Sequence, residues 1–283
     1  MIGSVFLIFL GMVSGGINNL IPAPDLLRVV HQTVLVLGTM AVLAGFLIAI
    51  RNYRNLPIFW GLLGLALVFI SQQAIIGIGL LRWERGFWGV GIHYMLSVII
   101  LGLTAAAAAY YFIGVRGDTD ASKLKFNSRF SRRAVFVLVL VLMVLLSGVV
   151  LSATGARGAC TGWPFCDGGL IPNTTAGWIG MIHRLFVVVI GAYLIGFNLR
   201  AWRTQRTSRL VLTTSNMLVT LYFAQAFVGA MKVLKGSPMD LLVLHEATAA
   251  FLMVTGAVMV ISIGLKKRTV QDELDDSKRQ VDR

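Results

Sequence analysis

The chain has 283 residues, 57% of them hydrophobic and 13% charged, with a mean hydropathy of +0.81. That composition excludes an ordinary soluble globular domain and makes a bilayer most of its solvent. The formal net charge of +13 does not signal nucleic-acid binding, because the basic residues fall in short clusters between apolar runs long enough to cross about 30 Å of hydrocarbon as helices.

Taken in chain order, the apolar runs predict eight helices, at residues 2–19, 29–50, 57–80, 90–113, 134–152, 178–199, 210–231 and 241–264. The first has no Lys or Arg before it and so lacks the charged leader of a secretory signal; it is read as the first span. No Arg- and Ser-rich transit segment precedes it, which points to a bacterial or archaeal cell membrane. Arg51 and Arg54 follow the second run, a cluster from Arg116 to Arg133 follows the fourth, and one from Arg200 to Arg209 follows the sixth. A last cluster begins at Lys266. These groups hold most of the Lys and Arg, so the positive-inside rule predicts that both termini are cytoplasmic. Residues 266–283 read as a solvated charged tail with no folding signal of their own.

An internal repeat appears when residues 29–113 are laid on residues 181–265 at a constant offset. His31 then falls on His183 and His93 on His245, while Gln73, Ala74 and Gly77 fall on Gln225, Ala226 and Gly229. The predicted fold is therefore an all-α integral membrane protein of two tandem four-helix bundles. The halves are residues 1–115 and 134–265, joined by a cytoplasmic linker at 116–133, and they share one membrane orientation because each has an even number of spans. The external segment at 153–177 is much longer than its counterpart near residues 18–27.

All four histidines of the chain lie near the outer ends of the even-numbered helices. A membrane-embedded His is costly unless it is bonded or bound, and two pairs on equivalent helices argue against four unrelated interfacial residues. Two imidazoles on facing helices reach a porphyrin iron from opposite sides. Zinc is the competing ligand, but a closed zinc site wants four N, S or carboxylate donors, and no further Cys, Asp or Glu stands at helical spacing from these residues. Arg28, Arg82, Arg85, Arg157, Arg184 and Lys232 stand near the same surface, where they would partner haem propionates or simply anchor the interface. Gln73 and Gln225 lie deeper and would bond either a macrocycle edge or a neighbouring helix, and Gly77 and Gly229 are small enough to let a helix or flat ligand approach.

Cys160 and Cys166 bracket Thr-Gly-Trp163-Pro164-Phe165 in the long external segment. That side of the membrane is oxidising, so a disulfide holding the Trp163-Pro164 turn is expected, with an exposed redox-active pair as the alternative.

Thr154-Gly155-Ala156-Arg157, followed by Cys160, Trp163-Pro164, Cys166, Gly168, Pro172 and His183-Arg184, together with His31, His93 and His245, resembles the haem A synthase family. The resemblance runs through nearly the whole chain. It implies that His183 and His245, with Arg184, hold a b-type haem as cofactor, while His31 and His93 ligate the iron of haem O, the substrate. The implied reaction oxidises one methyl group of haem O to a formyl group, giving haem A for cytochrome oxidase assembly. Implied partners are a haem O synthase and a quinol or other electron donor, besides membrane lipid. The first half departs from the family pattern in two places: the usual Glu three residues before the first His is Arg28, and the first external loop has no Cys pair. Arg28 cannot act as a base. Asp25, after Pro24, reads as a helix cap, and Glu84, between Arg82 and Arg85, is the acid left to approach the first pair or to remain a solvated ion pair. A non-catalytic membrane cytochrome or haem-handling assembly factor is thus the rival reading. A transporter would call for broken helices or buried mid-membrane charges, of which the spans show no clear case.

Overall fold

The structure is a computed structural model that describes residues 1–20, 25–82, 87–115, 119–166, 169 and 171–267. Its helices are α1 (Ile2–Leu20), α2 (Asp25–Asn52), α3 (Pro57–Arg82), α4 (Phe87–Ala109), α5 (Arg129–Ala153), α6 (Thr175–Thr204), α7 (Arg209–Leu234) and α8 (Met239–Gly264). Seven of them, α2 to α8, are long and apolar enough to cross a bilayer; α1 has 19 residues with a shorter apolar stretch at Ile2–Gly15. The protein is a multi-pass membrane protein.

Local chemistry sets the helix ends. Proline opens α3, where a missing N–H is no loss. The Ser128 hydroxyl caps α5 by accepting from Ser131 N (2.9 Å), and Thr174 caps α6 by accepting from Gly177 N (3.0 Å). α7 ends at Lys235-Gly236-Ser237, where Gly236 takes φ 72° and donates its N–H to the Val233 carbonyl; Pro238 then bars further helix. The chain therefore turns back sharply into α8, which sets His245 near the end of α7.

Each helix packs on its sequence neighbour, and α4 closes back on α1 as α8 closes on α5. The two sets meet chiefly along α4 and α8, with further contact of α4 on α5 and of α1 on α8. Burial reports the same layout: 67% of the apolar window of α4 and 61% of that of α8 are buried, against 17% for α2 and α3. Small residues make this close approach possible. Ala105 to Ala109 are all buried, and a side chain at Gly102 would run into Met253 of α8. The outer helices turn Val36, Leu47, Leu185, Val188 and Phe227 outward, as a lipid-facing surface requires.

Two features near the basic clusters were not legible in the hydropathy pattern. α4 runs on as a π-helical turn, Tyr110–Val115, whose Tyr110 and Tyr111 stack on Phe59. The linker carries a strand, β1 (Thr119–Leu124), antiparallel to β2 (Leu265–Lys267) at the start of the expected tail. This pair ties the end of α8 to the segment leading into α5. The linker is therefore not plain coil, and α5 begins at Arg129, within its basic cluster. Residues 268–283 lie outside the described residues.

Candidate functional site

The four histidines occupy the second or third turn of α2, α4, α6 and α8, and each ring lies over a glycine of the preceding helix. A Cβ at Gly15 would come within 2.7 Å of His31 Cε1; at Gly77, within 3.1 Å of His93; at Gly148, within 3.3 Å of His183; and at Gly229, within 3.0 Å of His245. Four imidazoles on four glycines is the same packing made four times, once per hairpin. At Gly15 a Cβ would collide with the ring, and at the other three the ring would have to give by a few tenths of an ångström.

Within each half the first histidine has a partner on Nδ1. His31 Nδ1 donates to the Gly11 carbonyl at 2.9 Å, with Ser14 Oγ at 3.3 Å. Because a carbonyl only accepts, Nδ1 carries the proton and Nε2 is left as a bare lone pair. His183 Nδ1 lies 2.7 Å from Ser147 Oγ, and the Ser147 hydroxyl donates its own proton to the Val144 carbonyl at 2.7 Å. The serine must then accept from His183, and again Nε2 is bare. The second histidine of each half differs. His93 Nδ1 and His245 Nδ1 are buried without a hydrogen bond of normal geometry, their rings turned toward the backbone of Gln73 and Gln225. With Nδ1 turned to that backbone, Nε2 is the nitrogen left for a ligand, as it is in the first histidine of each half.

The paired glutamines bond neighbouring helices. Gln73 Nε2 donates to Ser97 Oγ at 2.5 Å, and Ser97 donates to the His93 carbonyl at 3.0 Å. Thr248 donates to Gln225 Oε1 and lies against the carbonyls of Leu244 and His245. Each glutamine thus braces the turn of helix that carries the second histidine.

His31 and His93 are electrostatic neighbours, as are His183 and His245. Among the described residues no three of His, Cys, Asp and Glu gather into one cluster. Among the described residues a four-ligand zinc site is therefore not assembled, whereas two imidazoles with bare nitrogens, each seated on a glycine, suit a planar iron porphyrin, which brings four of its own donors.

One acid, Glu246, escaped the sequence reading. Glu246 follows His245 directly on α8, and its electrostatic neighbours are Arg157 and Lys232. Lys232 is half-buried near the end of α7, and Arg157 is exposed in the loop. An adjacent residue points to a different face of the helix, so helical spacing from His245 does not reach it. The repeat offered no signal either, because the equivalent residue of the first half is Tyr94. Those two equivalent positions meet: Tyr94 Oη donates to the Glu246 carbonyl at 3.4 Å across the α4–α8 seam.

The segment between α5 and α6 packs on the start of α6. Cys160 and Cys166 form a disulfide with S–S 2.03 Å, both residues are buried, and the Trp163–Pro164 peptide is cis. The disulfide packs on the start of α6, where a Cβ at Gly177 or Gly180 would stand 3.5–3.6 Å from its sulfurs. Arg184 donates to the Pro164 carbonyl (3.1 Å) and lies 3.5 Å from the Cys160 carbonyl, so the residue after His183 holds the loop in place. Thiol-specific labelling of the folded protein without reductant should leave both cysteines unmodified in intact-mass spectra. Ready labelling of the pair would show a dithiol instead.

Arg28 is exposed on α2. Glu84, Arg85 and Gly168, and the side chains of Asp25 and Arg82, lie outside the described residues.

The COX15-CtaA family, described as cytochrome oxidase assembly protein, matches residues 28–257. Among curated proteins the chain is 22% identical to the heme A synthase of Macrococcus caseolyticus, over 80% of this chain and 75% of that one. It is 27% identical to the heme A synthase of Exiguobacterium sibiricum, over 70% of this chain and 64% of that one. It is also 32% identical to a protoheme IX farnesyltransferase of Haloquadratum walsbyi, over 42% of this chain and 25% of that longer protein. The stretch matched by the family takes in all four histidines, their glycines Gly77, Gly148 and Gly229, and the disulfide loop, so the chain belongs to the COX15-CtaA family of cytochrome oxidase assembly proteins.

Proposed function

We propose that the protein is a haem A synthase that holds haem in each half through its histidine pair. The observation that carries this reading is the fourfold seat of imidazole on glycine, made by residues within a chain that belongs to this family. His183 and His245 hold a resident b-type haem under the disulfide-closed loop, and His31 and His93 hold haem O as substrate. Held by these imidazoles, haem would supply one-electron redox chemistry at a potential tuned by the residues that bind it.

The chain's own residues do the rest. The Gly11 carbonyl and Ser147 hydroxyl fix the tautomers of His31 and His183, and the glutamine braces hold the helix turns of His93 and His245. Lys232 and Arg157 supply cationic partners for propionates beside the second pair, while Arg184 keeps the loop closed over it. The outcome at the first pair would be oxidation of one haem O methyl to a formyl group, a loss of four electrons with gain of one oxygen atom; dioxygen as oxidant and oxygen source, together with a quinol or other donor, balances it, and a haem O synthase would supply the substrate. The likeness of part of a protoheme IX farnesyltransferase to this chain supports such a partner. Positive clusters at the ends of α2, α6 and the α4–α5 linker support cytoplasmic termini and haem sites toward the outer face.

The test is expression in a host that makes haem O and lacks its own synthase, followed by haem extraction and identification. Haem A should accumulate, His31→Ala should abolish it, and the haem of the second half should remain. Arg28→Glu restores an acid one turn from His31 and should raise turnover where proton transfer limits the rate. Arg28 in place of the family's acid favours a second reading, a non-catalytic haem-handling assembly factor. That reading replaces the first if the parent chain, with haem bound, yields only haem O while a control synthase yields haem A.

A further inference from the structure

The two halves hold their first histidine by different means. In the first half the Nδ1 proton of His31 goes directly to a backbone carbonyl, Gly11 O at 2.9 Å, with Ser14 as a longer second acceptor. In the second half the corresponding proton of His183 goes to a side chain, Ser147 Oγ at 2.7 Å, which passes its own proton to the Val144 carbonyl at 2.7 Å. Ser14 makes the matching bond to Gly11 O at 3.0 Å. Ser14-Gly15 and Ser147-Gly148 are thus the same two-residue device on α1 and α5, the serine facing Nδ1 and the glycine flooring the ring.

We propose that Ser147 is the positioning residue of the second haem site, setting the tautomer and electron richness of His183, and that Ser14 is a lesser partner because the Gly11 carbonyl does the same work in the first. The inference rests on haem being bound through the histidine pairs. Its physical basis is that an imidazole donating from Nδ1 to a good acceptor gains negative character at Nε2, which strengthens the bond to ferric iron and lowers the reduction potential. The chained hydroxyl is a polarised acceptor, so the His183–Ser147–Val144 relay performs that function through one replaceable atom. Without it, Nδ1–H would be buried and unpaired, and the ring would lose the restraint that holds Nε2 in line. No side-chain substitution at Gly11 removes the equivalent acceptor of the first half.

The experiment compares the purified, haem-loaded protein with Ser147→Ala, Ser147→Thr, Ser147→Cys and Ser14→Ala. Haem content by pyridine haemochrome, potentiometric titration of the low-spin haem, and haem loss to an excess of apomyoglobin are measured for each. Ser147→Ala should raise the potential of the second-half haem and speed its loss by about ten-fold or more, the size usual for removal of a ligand's hydrogen-bond partner. Ser147→Thr keeps the hydroxyl and should restore both values; Ser147→Cys, a weaker acceptor of similar size, should fall between. Ser14→Ala should retain first-half haem better than Ser147→Ala retains that of the second. If Ser147→Ala fails to fold, the Thr and Cys variants decide, because Thr like the parent and Cys shifted is the expected pattern. Loaded Ser147→Ala or Ser147→Cys protein with unchanged potential and loss rate would overturn the proposal. Parent protein that takes up no haem at all would overturn instead the haem reading on which it rests.

Discussion

Replacing His183 or His245 by Ala should remove most of the low-spin haem absorbance of the purified protein. Both rings sit in one half, each in a glycine seat, and a six-coordinate low-spin iron needs both axial nitrogens. Either single variant should fall nearly as far as the double, because losing one ligand leaves the other imidazole with no partner across the ring. His93→Ala, in the other half, should leave this absorbance largely in place. The measurement is the reduced-minus-oxidised spectrum normalised to protein. Retention of full haem content with an unchanged spectrum in the double variant would remove His183 and His245 from the site.

Putting a side chain beneath a histidine should be as damaging as removing the histidine itself. Gly229→Val introduces a Cβ 3.0 Å from His245 Cε1 and two methyl groups beyond it, and Gly15→Val introduces one 2.7 Å from His31 Cε1. Overpacking of this kind costs about 1–3 kcal/mol, which the ring relieves most easily by swinging out of its seat. Gly229→Val should therefore lose the second-half haem to an extent similar to His245→Ala, while helical content by circular dichroism stays near the parent value. Gly196→Val is the matched control, because a Cβ there meets nothing within 4 Å and the residue likewise lies inside a long helix, α6. Haem loss in Gly229→Val and retention in Gly196→Val isolate the seat. Equal haem content in both would mean that the glycine contact does not position the ligand.

Glu246 shows why a repeat read from sequence stops short of a site. The offset that places His31 on His183 and His93 on His245 also places Tyr94 on Glu246, so two chemically unlike residues occupy one position. The sequence gives no sign that they meet. Only the packing of α4 on α8 brings Tyr94 Oη to the Glu246 carbonyl and puts the carboxyl among Lys232 and Arg157.

The serine of each hairpin was hidden for a different reason. Ser14 precedes His31 by 17 residues and Ser147 precedes His183 by 36, because the disulfide loop lengthens the connection between α5 and α6. A constant-offset comparison anchored on the histidines cannot align them, although the helices bring both to the same atom.

What the sequence determined by itself was whatever depends on solvent and on local pattern. Apolar runs bounded by basic clusters specify membrane helices, because an unpaired backbone is too costly in hydrocarbon for anything but a regular helix there. The spacing of four histidines pointed to two equivalent pairs, and two cysteines six residues apart made a disulfide the expected outcome. Tertiary structure alone decided which helices lie at the centre. Hydropathy does not distinguish α4 and α8 from the others, since a helix facing lipid and one facing protein are both apolar, and small residues allowing close approach made the difference. It also decided the hydrogen-bond partner of each imidazole, because a ring nitrogen bonds whatever atom a neighbouring helix presents, and that depends on rotation and depth set by packing rather than on position along the chain.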